Sequence, residues 1–265
     1  MSAMETTAPR IKFCGITNSA DADAAVEAGA WALGMILWRG SPRRCRIQDA
    51  AEIASVHRRR VELVGVFVNP GLDQVVDAAD QIGLTILQFH GDEGPSFCAE
   101  AARRTGCRVI KAARVRSGAE IQALAAFHTD FHLLDTYVDG VPGGTGATFA
   151  WELAAGHRGN VPLILSGGLN AGNVGDAIAA VHPYAVDVAS GTESAPGRKD
   201  HDALRAFAAA VAATAPEPER EPEPEPESEP DRDPLGSGLT HASMPRPEPA
   251  PDPLAPGATH ESTPA

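Results

Sequence analysis

The sequence predicts a single (β/α)8 barrel followed by a disordered acidic tail, on three observations. Short apolar runs alternate with longer segments of helical period across residues 10–213. Most of the short runs are almost continuously apolar, as parallel strands covered on both faces are. The composition then changes abruptly at residue 216, where Pro and Glu begin to alternate.

Eight runs read as strands: Ile11–Cys14, Ala32–Leu37, Glu62–Val68, Thr85–Phe89, Arg108–Lys111, Phe131–Asp135, Pro162–Ser166 and Ala185–Ala189. Helical segments lie between them at Ala20–Ala28, Gln48–His57, Leu72–Ile82, Ser96–Arg104, Gly118–Ala126 and Asn173–Val181. A further helix covers Asp202–Ala213, and the sixth, around Phe149–Ala155, is short. Regular alternation of this kind builds a parallel sheet. The competing doubly wound sheet would carry GxGxxG after its first strand, whereas Cys14-Gly15-Ile16-Thr17 stands there. Eight units in about 205 residues suit a small closed barrel.

Residues 216–265 hold 14 of the 22 prolines and 12 acidic against 3 basic residues, so they contribute −9 of the net charge of −13. With few large apolar side chains, burial cannot offset the entropy of ordering this segment, and a solvated, extended tail is expected. The other 215 residues carry −4, so the acidity describes the tail rather than the ligand. No apolar run is long enough to span a membrane, and Met1–Pro9 lacks the pattern of a secretory signal. Cys14, Cys45, Cys98 and Cys107 form no CxxC pair and no disulfide framework, which fits a reduced cytoplasm. Neither a metal constellation nor a nucleic-acid partner is indicated; oligomeric state and any partner of the tail are not set by the sequence.

In a closed barrel, Cys14 at the end of the first strand and Asp135 at the end of the sixth emerge at one rim, where barrel enzymes keep their chemistry. Taken alone, Cys14 reads as a buried core residue and Asp135 as a helix cap. Sharing a rim, they read as a proton-transfer pair. Three glycine-rich stretches come late in the chain: Gly143-Gly144-Thr145-Gly146 follows strand six, Ser166-Gly167-Gly168 ends strand seven and Ser190-Gly191-Thr192 ends strand eight. Glycines let backbone N–H groups approach an anion, and the last loops of such barrels bind phosphate. A phosphorylated small molecule is the expected ligand. Lys12 shares a strand face with Cys14, and strand eight, its neighbour in a closed barrel, carries Asp187. A buried Lys12–Asp187 pair supporting a Cys14 thiolate is therefore expected.

The chain resembles the phosphoribosylanthranilate isomerases of tryptophan biosynthesis from about Arg10 to Ala213. The resemblance rests on Lys12-Phe13-Cys14-Gly15-Ile16-Thr17, Ser41-Pro42-Arg43, Val64–Asn69, Leu87-Gln88-Phe89-His90-Gly91, Leu134-Asp135 and Gly143–Gly146. It continues through Trp151, Ser166–Leu169, Asn173-Val174, Asp187–Gly191, Glu193, Pro196-Gly197 and Lys199-Asp200. Met35-Ile36-Leu37, Ala147 and Ala150 depart from the family pattern, and the tail has no counterpart.

The resemblance implies an Amadori rearrangement of N-(5-phosphoribosyl)anthranilate by general acid–base catalysis, with no cofactor. It assigns Asp135 as acid and Cys14 as base, and it places Arg43 on the anthranilate carboxylate, which a guanidinium suits. Gly144, Thr145, Gly146, Ser166, Gly167, Gly168, Ser190 and Gly191 would hold the phosphoribosyl group. Lys12, Asp187 and His90 would support them, His90 either by a rim hydrogen bond or by touching substrate. Free Asp and Cys titrate near ~3.9 and ~8.5, so Asp135 is expected to be raised and Cys14 lowered. The related histidine-pathway isomerase would want two aspartates, and indole-glycerol-phosphate synthase a catalytic lysine with glutamates. A non-catalytic binder would lack Cys14 or Asp135.

Overall fold

The computed structural model describes residues 8–135, 151–157 and 159–215. The chain divides into Met1–Pro218 and Glu219–Ala265, and every described residue falls in the first unit. The predicted tail and Gly143–Gly146 lie outside the described residues.

Eight parallel strands close in sequence order: β1 (Arg10–Cys14), β2 (Ala32–Ile36), β3 (Glu62–Phe67), β4 (Ile86–Phe89), β5 (Arg108–Arg114), β6 (Phe131–Asp135), β7 (Leu163–Ser166) and β8 (Ala185–Val188). Closure pairs β1 with β8 and sets Lys12 beside Asp187 on one side and Ala32 on the other. The helices are α1 (Ser19–Glu27), α2 (Ile47–His57), α3 (Leu72–Ile82), α4 (Pro95–Thr105), α5 (Gly118–Ala123), the helical residues 151–154 (α6), α7 (Val174–Val181) and α8 (His201–Ala212). None of the described helices is long and apolar enough to cross a membrane.

Local chemistry marks the ends of these helices. The Asn18 side chain accepts from Asp21 N at the start of α1, and Asp200 does the same for Asp202 and Ala203 at α8. Pro95 opens α4, and Gly106, at φ 71°, closes it in the left-handed conformation.

Strand alternation separates two apolar layers. Ile11, Phe13, Leu87 and Phe89 face outward onto the helices, where the Phe13 ring meets Phe207 of α8 at 6.1 Å. Val64, Val66, Ile86, Ile110 and Leu133 fill the inside. Trp31, Phe131 and Tyr184 pack edge to face or tilted, with centroids 5.5–5.7 Å apart, against this inner layer.

Two elements differ from the sequence reading. β5 runs on past Lys111 through Ala112-Ala113-Arg114, because Leu133, Leu134 and Asp135 of β6 provide a ladder for residues of low strand propensity. Arg114 thereby becomes the register partner of Asp135. The stretch after β8 forms an antiparallel hairpin, β9 (Glu193–Ala195) with β10 (Arg198–Lys199), turned by Gly197 at φ 77°.

Candidate active site

A cavity of about 560 Å3 lies over the carboxyl ends of the strands. Cys14, Asp135, Arg43, Ser166, Gly167, Gly168 and Ser190 line it, with His90, Gln88, Arg114 and Asp187. The closed barrel brings strands one and six to opposite walls of one cup, so residues 121 positions apart in the chain share a chamber. Gly144, Thr145 and Gly146 fall outside the described residues.

Cys14 ends β1 on its inner face and is buried. Two residues earlier, Lys12 is fully buried, with Nζ 2.6 Å from Asp187 Oδ1. The second Asp187 oxygen accepts from Ser166 Oγ at 3.0 Å. Ser166, expected on the ligand, therefore faces both the cavity and this buried carboxylate. Burial works to lower the Lys12 pKa, but the Asp187 and Cys14 charges outweigh it and the ammonium is held above its ordinary range.

The Cys14 thiol departs from expectation. Burial pushes its pKa up, and the pull of Lys12 and of the more distant Lys199 only partly counters this, with Asp187 adding to the rise. The expectation of a lowered Cys14 is corrected: in the unliganded protein desolvation outweighs the neighbouring ammonium. Lys199 is itself lowered by burial, against the pull of Glu193.

Arg43, in the loop after β2, is a quarter exposed along its side chain and clasped by Glu193. Its Nη2 lies 2.8 Å from Oε2, and its Nε lies 3.0 and 2.9 Å from the two carboxylate oxygens. Glu193 is held from behind by Lys199 Nζ at 3.5 Å and by Gly197 N at 3.4 Å. The β9–β10 hairpin thus fixes the direction of the arginine.

At the other wall, His90 Nε2 stands 3.5 Å from Asp135 Oδ2, and Gln88 Nε2 stands 3.2 Å from His90 Nδ1. The glycine loops are shaped by conformation as well as by space. Gly167 and Gly168 have φ of 106° and 63°, where side chains are disfavoured. A Cβ on Gly191 would overlap the carbonyl oxygen of Leu169, so the loops after β7 and β8 touch there without Gly191 lining the cavity.

Sequence reasoning assigned no role to Gly34, Gln88, Arg114 or Glu193. Gln88 carried a signal, being polar in an apolar strand and in phase with His90. Glu193 appeared only as a match within a motif, and the position of Gly34 opposite Cys14 follows from register alone.

A family model described as N-(5'phosphoribosyl)anthranilate (PRA) isomerase matches residues 11–210. The chain belongs to this isomerase family. It is 47% identical over 207 residues to the N-(5'-phosphoribosyl)anthranilate isomerase of Pseudomonas fluorescens, covering 77% of this chain and 96% of the relative. The isomerase of Pelobacter propionicus is 44% identical over 198 residues, covering 75% and 93%. Among solved structures, the phosphoribosyl anthranilate isomerase of Thermotoga maritima superposes with a TM-score of 0.70 at 40% identity, covering 77% of this chain and 99% of that one. Another isomerase structure of this family, solved with reduced 1-(o-carboxyphenylamino)-1-deoxyribulose 5-phosphate, gives a TM-score of 0.67 at 37% identity over 77% and 99%. The barrel predicted from the alternating runs is the barrel of these isomerases.

Proposed function

We propose that this phosphoribosylanthranilate isomerase acts through Asp135 as general acid and Cys14 as general base. The observation that carries the reading is that both side chains line one rim cavity of a chain in this family. The substrate is N-(5-phosphoribosyl)anthranilate, and the product is 1-(2-carboxyphenylamino)-1-deoxyribulose 5-phosphate.

In the first step the Asp135 carboxyl gives its proton to the ribose ring oxygen. The C1–O bond breaks toward that oxygen, and the nitrogen lone pair forms the C1=N iminium. The Cys14 thiolate then takes the C2 proton, and the C–H electron pair moves to C1=C2 while the iminium electrons return to nitrogen. The resulting enolamine tautomerises to the ketone.

A raised thiol pKa leaves little thiolate at neutral pH but makes that thiolate a stronger base for a carbon acid. The Lys12 ammonium, two residues before Cys14 on the same strand face, stabilises the thiolate by its charge until the thiolate takes the proton. Arg43, aimed by Glu193, meets the anthranilate carboxylate. Gly167, Gly168 and Ser190, with Gly144–Gly146 beyond the described residues, hold the phosphate. The thiol must stay reduced to act, and all four cysteines are free, which supports a cytoplasmic setting. Residues 216–265 are read as an appendage separate from the 10–213 catalytic barrel.

Loss of anthranilate-type fluorescence on mixing with freshly made phosphoribosylanthranilate tests the reading, beside Cys14→Ala and Asp135→Asn. Turnover in wild type that collapses in both variants supports it. Turnover surviving in either variant removes that residue from its role, and an inactive wild type removes the reaction.

A further inference from the structure

Gln88 has no part in the proton transfers above, yet its placement is costly. It is 1% exposed on the inner face of β4, between register partners Val66 and Ile110 of the inner apolar layer. Its carboxamide oxygen has no hydrogen-bond partner among the described residues. Burying an amide with one polar atom unsatisfied is unfavourable, and an apolar side chain of similar volume would fill the position with less penalty. The other amide atom makes a directed contact, Nε2 to His90 Nδ1 at 3.2 Å.

A carboxamide nitrogen has hydrogens to give and no lone pair to accept with. His90 Nδ1 is therefore the acceptor, and the proton of the neutral ring sits on Nε2. That nitrogen stands 3.5 Å from Asp135 Oδ2. Gln88 and His90 lie two residues apart on one face, so the amide, the ring and the carboxyl form a chain rising from the inner wall into the cavity.

We propose that Gln88 is a positioning residue of the isomerisation: it locks His90 in the Nε2–H tautomer, so that His90 presents an N–H to the Asp135 carboxyl. This rests on the reading of Asp135 as the acid. The N–H keeps the carboxyl oriented and steadies the carboxylate left once the proton has moved to the ring oxygen. The unsatisfied amide oxygen is retained because an apolar residue cannot set the tautomer.

Two variants separate this role from packing. Gln88→Met keeps the volume and removes both polar atoms, while Gln88→Glu replaces the donor by an acceptor. Nitrogen-15 NMR of unliganded protein should show His90 as the Nε2–H tautomer in wild type, a mixture in Gln88→Met, and Nδ1–H in Gln88→Glu. Gln88→Met should fold with an equal or higher Tm and keep KM within about twofold while kcat falls at least about tenfold. In a His90→Asn background the same substitution should add no further loss. An Nδ1–H tautomer in wild type, a wild-type kcat in folded Gln88→Met, or an undiminished loss in the His90→Asn background each overturns the assignment. The tautomer is read without turnover: an active Asp135→Asn with the tautomer shifts intact would instead locate the failure in the Asp135 reading.

Discussion

Gly34 sits opposite Cys14 in the β1–β2 register, and a Cβ there would lie 2.8 Å from the Cys14 sulfur and 3.1 Å from Lys12 Nζ. The absence of one carbon on β2 is what gives the thiol and the ammonium their common space. Gly34→Ala should destabilise the fold by about 1–3 kcal/mol through overpacking. It should also lower kcat well beyond any change in KM. Urea unfolding and steady-state kinetics check this; an alanine variant with wild-type kcat would show that the crowding is relieved without consequence.

The raised Cys14 pKa predicts how the thiol reacts. Its alkylation by iodoacetamide should accelerate up to and above the ordinary thiol range near ~8.5, rather than level off at neutral pH. Lys12→Met should move that midpoint further up, because the opposing positive charge is gone. For stability the sign is the same as for any raised group. The folded state holds the proton more tightly, so this contribution is present below the unfolded thiol pKa and is lost as pH climbs through the folded one. A plateau near pH 7 would contradict the burial account.

Lys12 and Asp187 form a buried pair, so removing one partner leaves the other without its counter-charge. Lys12→Met should cost about 3–5 kcal/mol. The double substitution Lys12→Met with Asp187→Leu should recover much of that stability and none of the turnover. Chemical denaturation with a double-mutant cycle measures both; equal instability of single and double variants would place the cause in packing.

If Arg43 holds the ligand as proposed, Glu193 acts on binding through it. In Glu193→Gln the carboxylate that grips Nε and Nη2 becomes a neutral amide. KM should rise about tenfold with a smaller change in kcat, as for a lost binding contact. Arg43→Lys should behave similarly, since an ammonium has no planar fork. A change confined to kcat would argue that Arg43 does not hold the ligand.

His132 of β6 joins two neighbours, with Nε2 3.1 Å from the Phe127 carbonyl and Nδ1 3.0 Å from His157 Nε2. With both rings neutral, the carbonyl takes the N–H at His132 Nε2 and Nδ1 accepts from His157. Burial lowers the pKa of both rings, which leaves the unfolded chain binding more protons below the ordinary value near ~6.5. Stability should therefore fall as pH drops from about 6.5 toward the folded values. Urea midpoints between pH 7 and 5 test this, and His132→Gln should flatten the dependence.

Deleting residues 216–265 should leave Tm and turnover unchanged, because the proposed catalytic residues and the closed barrel all precede them. Melting and kinetics of the truncated chain decide it; loss of the folded state would refute the boundary at 213–216.

Much of the fold was legible along the chain because its signals are local. Continuous apolar runs such as Leu63–Phe67 and Leu133-Leu134 mark strands buried on both faces, and Leu72–Ile82 shows helical spacing closed by Gly83. Strand phase was enough to place Lys12 and Cys14 on one face, and closure to put Asp187 beside them. What was not legible depends on register and on through-space neighbours. Ala112-Ala113-Arg114 falls past the strand read over Arg108–Lys111 until β6 pairs with it, and nothing near Arg43 in the chain points to Glu193, 150 residues on, which clasps it.

By itself, then, the sequence determined eight strand–helix units, the ends at which Cys14 and Asp135 stand, and the acidic segment beyond the barrel. Only the tertiary structure decided that Gly34 makes room for the thiol, that Gln88 reaches Asp135 through His90, and that burial outweighs Lys12 at Cys14. Periodicity is written in neighbouring residues, whereas register, clearance and desolvation arise only when segments far apart in the chain exclude water together.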